Sequence, residues 1–103
     1  MAVVPAAGAE TKMRRDIDLI VTAVAEMTGV SYLRIKGGGR DRRTARARQL
    51  VMYLAGKGGW SSPAIGRALH RDHSTVLYGI GVIREILEGG KPIDAPDGWE
   101  VAQ

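Results

Sequence analysis

Four stretches of helical apolar periodicity, each closed by glycine or a polar turn, constrain this chain more than any other feature. Ile17, Ile20, Val21 and Val24 recur with the period of a helix, and Gly29 is placed to end that helix in a left-handed cap. Ala47, Leu50, Val51 and Leu54 line one face of a second, ended by Gly56, Gly58 and Gly59. Ile65, Ala68 and Leu69 mark a short third. Val76, Ile80, Ile83 and Leu87 mark a fourth, stopped by Gly89-Gly90-Lys91-Pro92. No stretch alternates with the period of two that a half-buried strand requires. The expected fold is therefore all-α, a small helical bundle.

Capping chemistry sets the boundaries. The first helix is expected at about 14–28, with Asp16 and Asp18 near its positive end. Tyr32, Leu33 and Ile35 suit one helical turn packed on the core, before Gly37-Gly38-Gly39 breaks regular structure. A basic loop spans 40–43, and Thr44 is the expected N-cap of the next helix. In Ser61-Ser62-Pro63, Ser62 is the expected cap, with Pro63 first in the helix. Asp72 is placed to cap the last helix. Trp60 reads as a hydrophobic staple, and Met13, Met27 and Met52 as core or edge fillers. The expected organisation is a flexible leader at 1–12, one helix-turn-helix domain at 13–90 and an irregular tail at 91–103, which holds Trp99.

A length of 103 residues suits one domain with one core. There is no cysteine, so disulfides and thiolate metal sites are excluded. No signal peptide or membrane-spanning run is present in the sequence, so the default is a soluble, cytoplasmic, nucleoid-associated protein with no membrane partner. Although His70, Asp72 and His73 lie close together, a turn separates the histidines. There is no third convincing ligand and no nucleophile placed beside a base. Neither glycine cluster is followed by Lys-Ser/Thr, so neither is a phosphate loop. The expectation is no enzyme, no metal and no cofactor.

The net charge of +4 and an isoelectric point near 9.9 favour a polyanionic partner. Charge distribution is more informative. Seven of the fifteen basic residues fall between positions 34 and 48, against the single acid Asp41. Arg40 and Arg42 follow three glycines that let backbone approach a ligand, and arginine is drawn to a narrow minor groove. Arg42, Arg46 and Gln49 share one helix face. Downstream, a short helix, a tight turn at His70-Arg71 and a longer amphipathic helix form a helix-turn-helix pattern. The first turn of that second helix is Asp72-His73-Ser74-Thr75, short polar groups ahead of the apolar face, suited to base edges in a major groove. The competing readings are a capped surface helix with a solvated basic face, and a protein-interaction module using the outer face of the last helix.

Residues 41–51, Asp-Arg-Arg-Thr-Ala-Arg-Ala-Arg-Gln-Leu-Val, continued by Met52-Tyr53-Leu54-Ala55, resemble the basic loop and following helix of the C-terminal DNA-binding domain of the bacterial replication initiator DnaA. Residues 64–77, with Arg-Asp-His-Ser-Thr-Val at their centre, resemble that domain's helix-turn-helix, and the likeness extends over about 16–88. The resemblance implies binding to a short asymmetric duplex site, the DnaA box. It implies that Arg40 enters the minor groove, that Arg48 and Gln49 lie near the DNA, and that Asp72, His73, Ser74 and Thr75 lie at the major groove. The expected DNA-binding set is Arg40, Arg42, Arg43, Arg46, Arg48, Gln49, Ser62, Arg71, Asp72, His73, Ser74 and Thr75. The expected partners are double-stranded DNA and other DNA-bound regulatory proteins. Two departures stand out: Ala47 replaces a usual proline, and the single His70 replaces two glycines, shortening the turn by one residue.

Overall fold

A computed structural model describes the backbone of residues 6–92 and the side chains of residues 15–92. Its helices are α1 (Ala6–Thr28), α2 (Tyr32–Lys36), α3 (Arg42–Lys57), α4 (Ser62–Leu69) and α5 (His73–Glu88), and the described residues contain no strand. α3 is the central element, packed on all four others. α4 lies against α5, and α1 closes the far side over α2, α3 and α4. The core joins Ile17, Val21 and Val24 of α1 to Ile35 of α2, Val51 and Met52 of α3, Ile65 and Leu69 of α4, and Val76 and Ile83 of α5. Each full burial of such a side chain contributes ~1.5–3 kcal/mol.

The helix faces follow the apolar periodicity, but several ends and one face differ from expectation. α1 begins at Ala6, not near 14, so residues 6–12 are helical. Alanines at 6, 7 and 9 with Glu10 and Lys12 are strong helix formers, so the helix extends where apolar periodicity is absent. Residues 1–5 lie outside the described residues. So does the expected tail from 93 onward, with Trp99. Because α1 starts early, Asp16 and Asp18 are not at its positive end. Asp18 instead accepts from the Tyr32 hydroxyl at 2.7 Å and from Lys36 Nζ at 3.2 Å, which ties α2 to α1. The Tyr32 hydroxyl, with Lys36 adding to it, lowers the Asp18 carboxyl pKa.

Gly29 ends α1 with φ +77°, its N–H donating to the Ala25 carbonyl. In α2 only Ile35 is fully buried, and Leu33 is 79 % exposed, contrary to the expected packing. A five-residue helix shows the core a single face, too narrow for three apolar groups. Asp41, not Thr44, caps α3: its carboxylate accepts from the Thr44 N–H at 3.1 Å. An anion both accepts the bond and meets the helix dipole, which a hydroxyl does not. Arg42 and Arg43 therefore stand in the first turn of α3 and not in a loop. Gly56 lies inside α3, which runs on to Lys57. Likewise Ser61, not Ser62, caps α4, accepting from the Ala64 N–H at 3.3 Å, with Ser62 and Pro63 in the first turn. Met27 is 69 % exposed and is no filler, whereas Met52 is buried.

The buried face of α5 is Val76, Gly79, Ile83 and Ile86; Ile80 is half-buried and Leu87 is 45 % exposed. A Cβ on Gly79 would lie 2.7 Å from the Met52 sulfur. The missing side chain lets α3 come close along that line, which turns Ile86 inward and Leu87 outward.

Three residues, His70 to Asp72, join α4 to α5. His70 adopts φ 56°, ψ 45° and is the only non-glycine residue with positive φ among those described. Left-handed backbone costs an L-residue ~1–2 kcal/mol, and glycine avoids it while losing about 0.4–1 kcal/mol through a freer unfolded chain. His70→Gly is therefore expected to stabilise the protein by about 0.5–1 kcal/mol. Chemical denaturation of the two proteins side by side checks this. An unchanged or lowered midpoint would mean that the imidazole makes a compensating contact.

Candidate nucleic-acid interface

α4, its three-residue turn and α5 form a helix-turn-helix supported from behind by α3. Gly66 makes the turn tight. A Cβ there would fall 2.4 Å from the Arg71 carbonyl oxygen, so the chain past α4 folds directly back over the helix. The Asp72 carboxylate then caps α5, accepting from the Ser74 N–H at 3.1 Å and from the Ser74 hydroxyl. These Ser74 bonds, the hydroxyl first, lower the Asp72 pKa and keep the cap ionised. Consequently His73, Ser74 and Thr75 stand exposed on the first turn of α5, and burial begins only at Val76. Three polar side chains on a fixed turn can meet base edges without disturbing the core.

The arginine cluster divides. Arg40 is exposed and has no hydrogen-bond or ionic partner among the described residues; Arg42 is exposed on the first turn of α3. Arg43 donates to the Thr28 carbonyl and so closes the C-terminal end of α1. Arg34 pairs with Asp41 at 2.6 Å in an exposed bridge. Hydrogen bonding from Thr44, with Arg34 adding to it, holds the Asp41 carboxyl at about 2. Arg46 donates to Gln49 Oε1 at 3.1 Å, and both are half-buried on the α3 face. A Cβ on Gly79 would lie 3.1 Å from Gln49 Cγ, so the α3 stripe runs directly against α5.

Arg48 is not at the surface. It is 8 % exposed, with Nε donating to the Ile35 carbonyl at 2.8 Å and Nη2 reaching the carbonyls of Arg34, Gly37 and Gly39. Burial first, then the charge of Arg71, lowers its pKa. Arg71, half-buried, donates Nη1 to Leu69 and His70 and Nη2 to Gly37 at 2.6 Å. Ser62 stands apart from this group. It lines a depression with Tyr53, Trp60, Leu77, Ile80 and Arg84, while Arg71, Asp72 and His73 line another. That second depression also holds Arg67, an exposed cation on α4 absent from the expected set. Its signal was present in the sequence, since Ile65, Ala68 and Leu69 inward leave Arg67 outward. Leu77 and Tyr78, 55 % and 69 % exposed, extend the outer face of α5 beyond Ser74 and were likewise missed. The described residues contain no group of three or more acids or histidines able to hold a metal ion, and none of their helices is long and apolar enough to cross a membrane.

Residues 17–83, from the core of α1 to the core of α5, match the family described as bacterial dnaA protein helix-turn-helix. The chain belongs to the bacterial DnaA helix-turn-helix family. It is also similar to the chromosomal replication initiator protein DnaA of Picosynechococcus sp., 38 % identical over 78 residues, which are 74 % of this chain. The match spans 17 % of that relative's length. No solved structure matches the chain. The DnaA helix-turn-helix is a DNA-binding domain rather than a catalytic one. Its boundaries here enclose both the arginine cluster and the exposed first turn of α5.

Proposed function

We propose that this protein binds a specific double-stranded site of the DnaA-box type, and by occupying it regulates replication initiation or transcription. One observation carries the reading: the exposed turn His73-Ser74-Thr75 is rigidly capped and joined, through the Arg71 bond to Gly37, to the loop bearing the unpartnered Arg40. A major-groove reader and a minor-groove arginine on one rigid body suit a short asymmetric duplex. His73 and Thr75 take the base-edge role. Arg42 and Arg46 take phosphates, and Arg67 joins them from α4. A mobility-shift titration on box-containing and scrambled duplexes tests it. Tighter binding to the box supports the proposal. No binding to either duplex at low salt would instead favour a protein-interaction module.

The phosphate role has its own measurement. Each neutralised phosphate contributes ~0.9 to the slope of log affinity against log salt. Arg42→Ala is expected to lower that slope by about 0.9 and to weaken box and scrambled duplex alike. A slope equal to the parent's would place Arg42 off the DNA.

A further inference from the structure

We infer, on the DNA-binding reading above, that Arg48 and Arg71 are positioning residues: they converge on the Gly37 carbonyl and fix the loop bearing Arg40 against the first turn of α5. The Gly37 oxygen accepts from Arg48 Nη2 at 3.0 Å and from Arg71 Nη2 at 2.6 Å, so both its lone pairs are used. Each guanidinium also closes a helix end. Arg48 satisfies the Arg34 and Ile35 carbonyls at the end of α2, and Arg71 those of Leu69 and His70 at the end of α4. Arg48 holds Gly39 as well, the residue immediately before Arg40. No backbone ladder links the 37–40 loop to the α4–α5 turn; this shared carbonyl is the junction.

Such a junction matters to a protein that reads two grooves at once. If Arg40 swings independently of α5, ordering it on DNA costs conformational entropy at each encounter. With the loop held, that cost is met during folding. The planar fork of arginine suits the task, because one side chain must hold several carbonyls in fixed directions. A lysine ammonium keeps the charge but offers only a point donor.

The test uses the whole chain and duplexes that share one box but carry A·T or G·C pairs beside it. The parent is expected to favour A·T flanks about tenfold, the scale of one base contact. Arg71→Leu should bring that ratio to about one. Arg71→Lys should fail to restore it. Both variants should keep the parent's salt slope, and adding Arg40→Ala to Arg71→Leu should cost the A·T-flanked box nothing further. Without DNA, the amide resonances of Gly38, Gly39 and Arg40 should move in both variants while those near Ile83 stay, which also verifies that the variants fold.

A flank preference retained in Arg71→Leu would overturn the inference. So would a slope lowered by about 0.9 and rescued by lysine, which would make Arg71 a phosphate contact. Unmoved loop resonances would overturn it independently of any DNA result. A parent that does not distinguish box from scrambled duplex would instead sink the DNA-site reading itself.

Discussion

Replacing His73 and Thr75 together by alanine is expected to reduce discrimination between box and scrambled duplex by at least about 30-fold, since each base contact is worth ~1–3 kcal/mol. Affinity for scrambled duplex should stay near the parent's, because that affinity comes from cations and phosphates. Stability should hardly change. Both side chains are exposed, the core face starts at Val76, and the cap is made by Asp72, which the variant keeps. Paired titrations on the two duplexes, with circular dichroism as the folding control, measure all three quantities. A folded double variant that still prefers the box as strongly as the parent would show that α5 is not the reading helix.

Gly66→Ala is expected to cost ~1–3 kcal/mol of stability and most of the site discrimination together. The added methyl would sit 2.4 Å from the Arg71 carbonyl oxygen and 3.6 Å from the His73 nitrogen, both backbone atoms, so the turn itself has to move. Displacing it shifts the first turn of α5 relative to α4 and pulls Arg71 from Gly37. The same chemical change two turns along α5 should act in reverse. Nothing lies within 4 Å of a Cβ on Gly81, and alanine exceeds glycine in a helix interior by ~0.8–1 kcal/mol, so Gly81→Ala should stabilise. Thermal unfolding of both variants beside the parent gives the comparison. Equal effects at the two positions would mean that the turn yields freely, and the tight return over Gly66 would carry no consequence for DNA reading.

Much of this was readable in the residues. Three of the four apolar periodicities named the inward faces of α1, α3 and α4, because burial selects side chains at helical spacing whatever the neighbours are. Asp72, followed by polar groups and then Val76, marked the capped, exposed first turn of α5, because capping and amphipathicity are local properties. Where two candidates stood side by side, local chemistry was silent. Ser61 and Ser62 both cap well, and it is Ser61 that takes the extended cap backbone and accepts from the Ala64 N–H. Thr44 yielded the cap of α3 to Asp41 and became buried. The early start of α1 came from alanine propensity, which an apolar pattern does not register.

By itself the sequence determined an all-helical chain, the helix-turn-helix with its exposed polar turn, and a concentration of arginine beside three glycines. Each follows from interactions within one or two helical turns. Tertiary structure alone decided what each arginine does. Arg40 and Arg48 look equivalent in a basic run, yet Arg40 is exposed while Arg48 is buried among the carbonyls of residues 34, 35, 37 and 39. Arg71 reaches Gly37 across 34 positions of chain. It decided the face of α5 too, since glycine carries no hydrophobic signal and only the close approach of α3 at Gly79 turned Leu87 outward. The physical reason is common to these cases. Charge and hydrophobicity are properties of a residue, whereas unsatisfied carbonyls and the gap left by a missing side chain exist only once separate helices have been brought together.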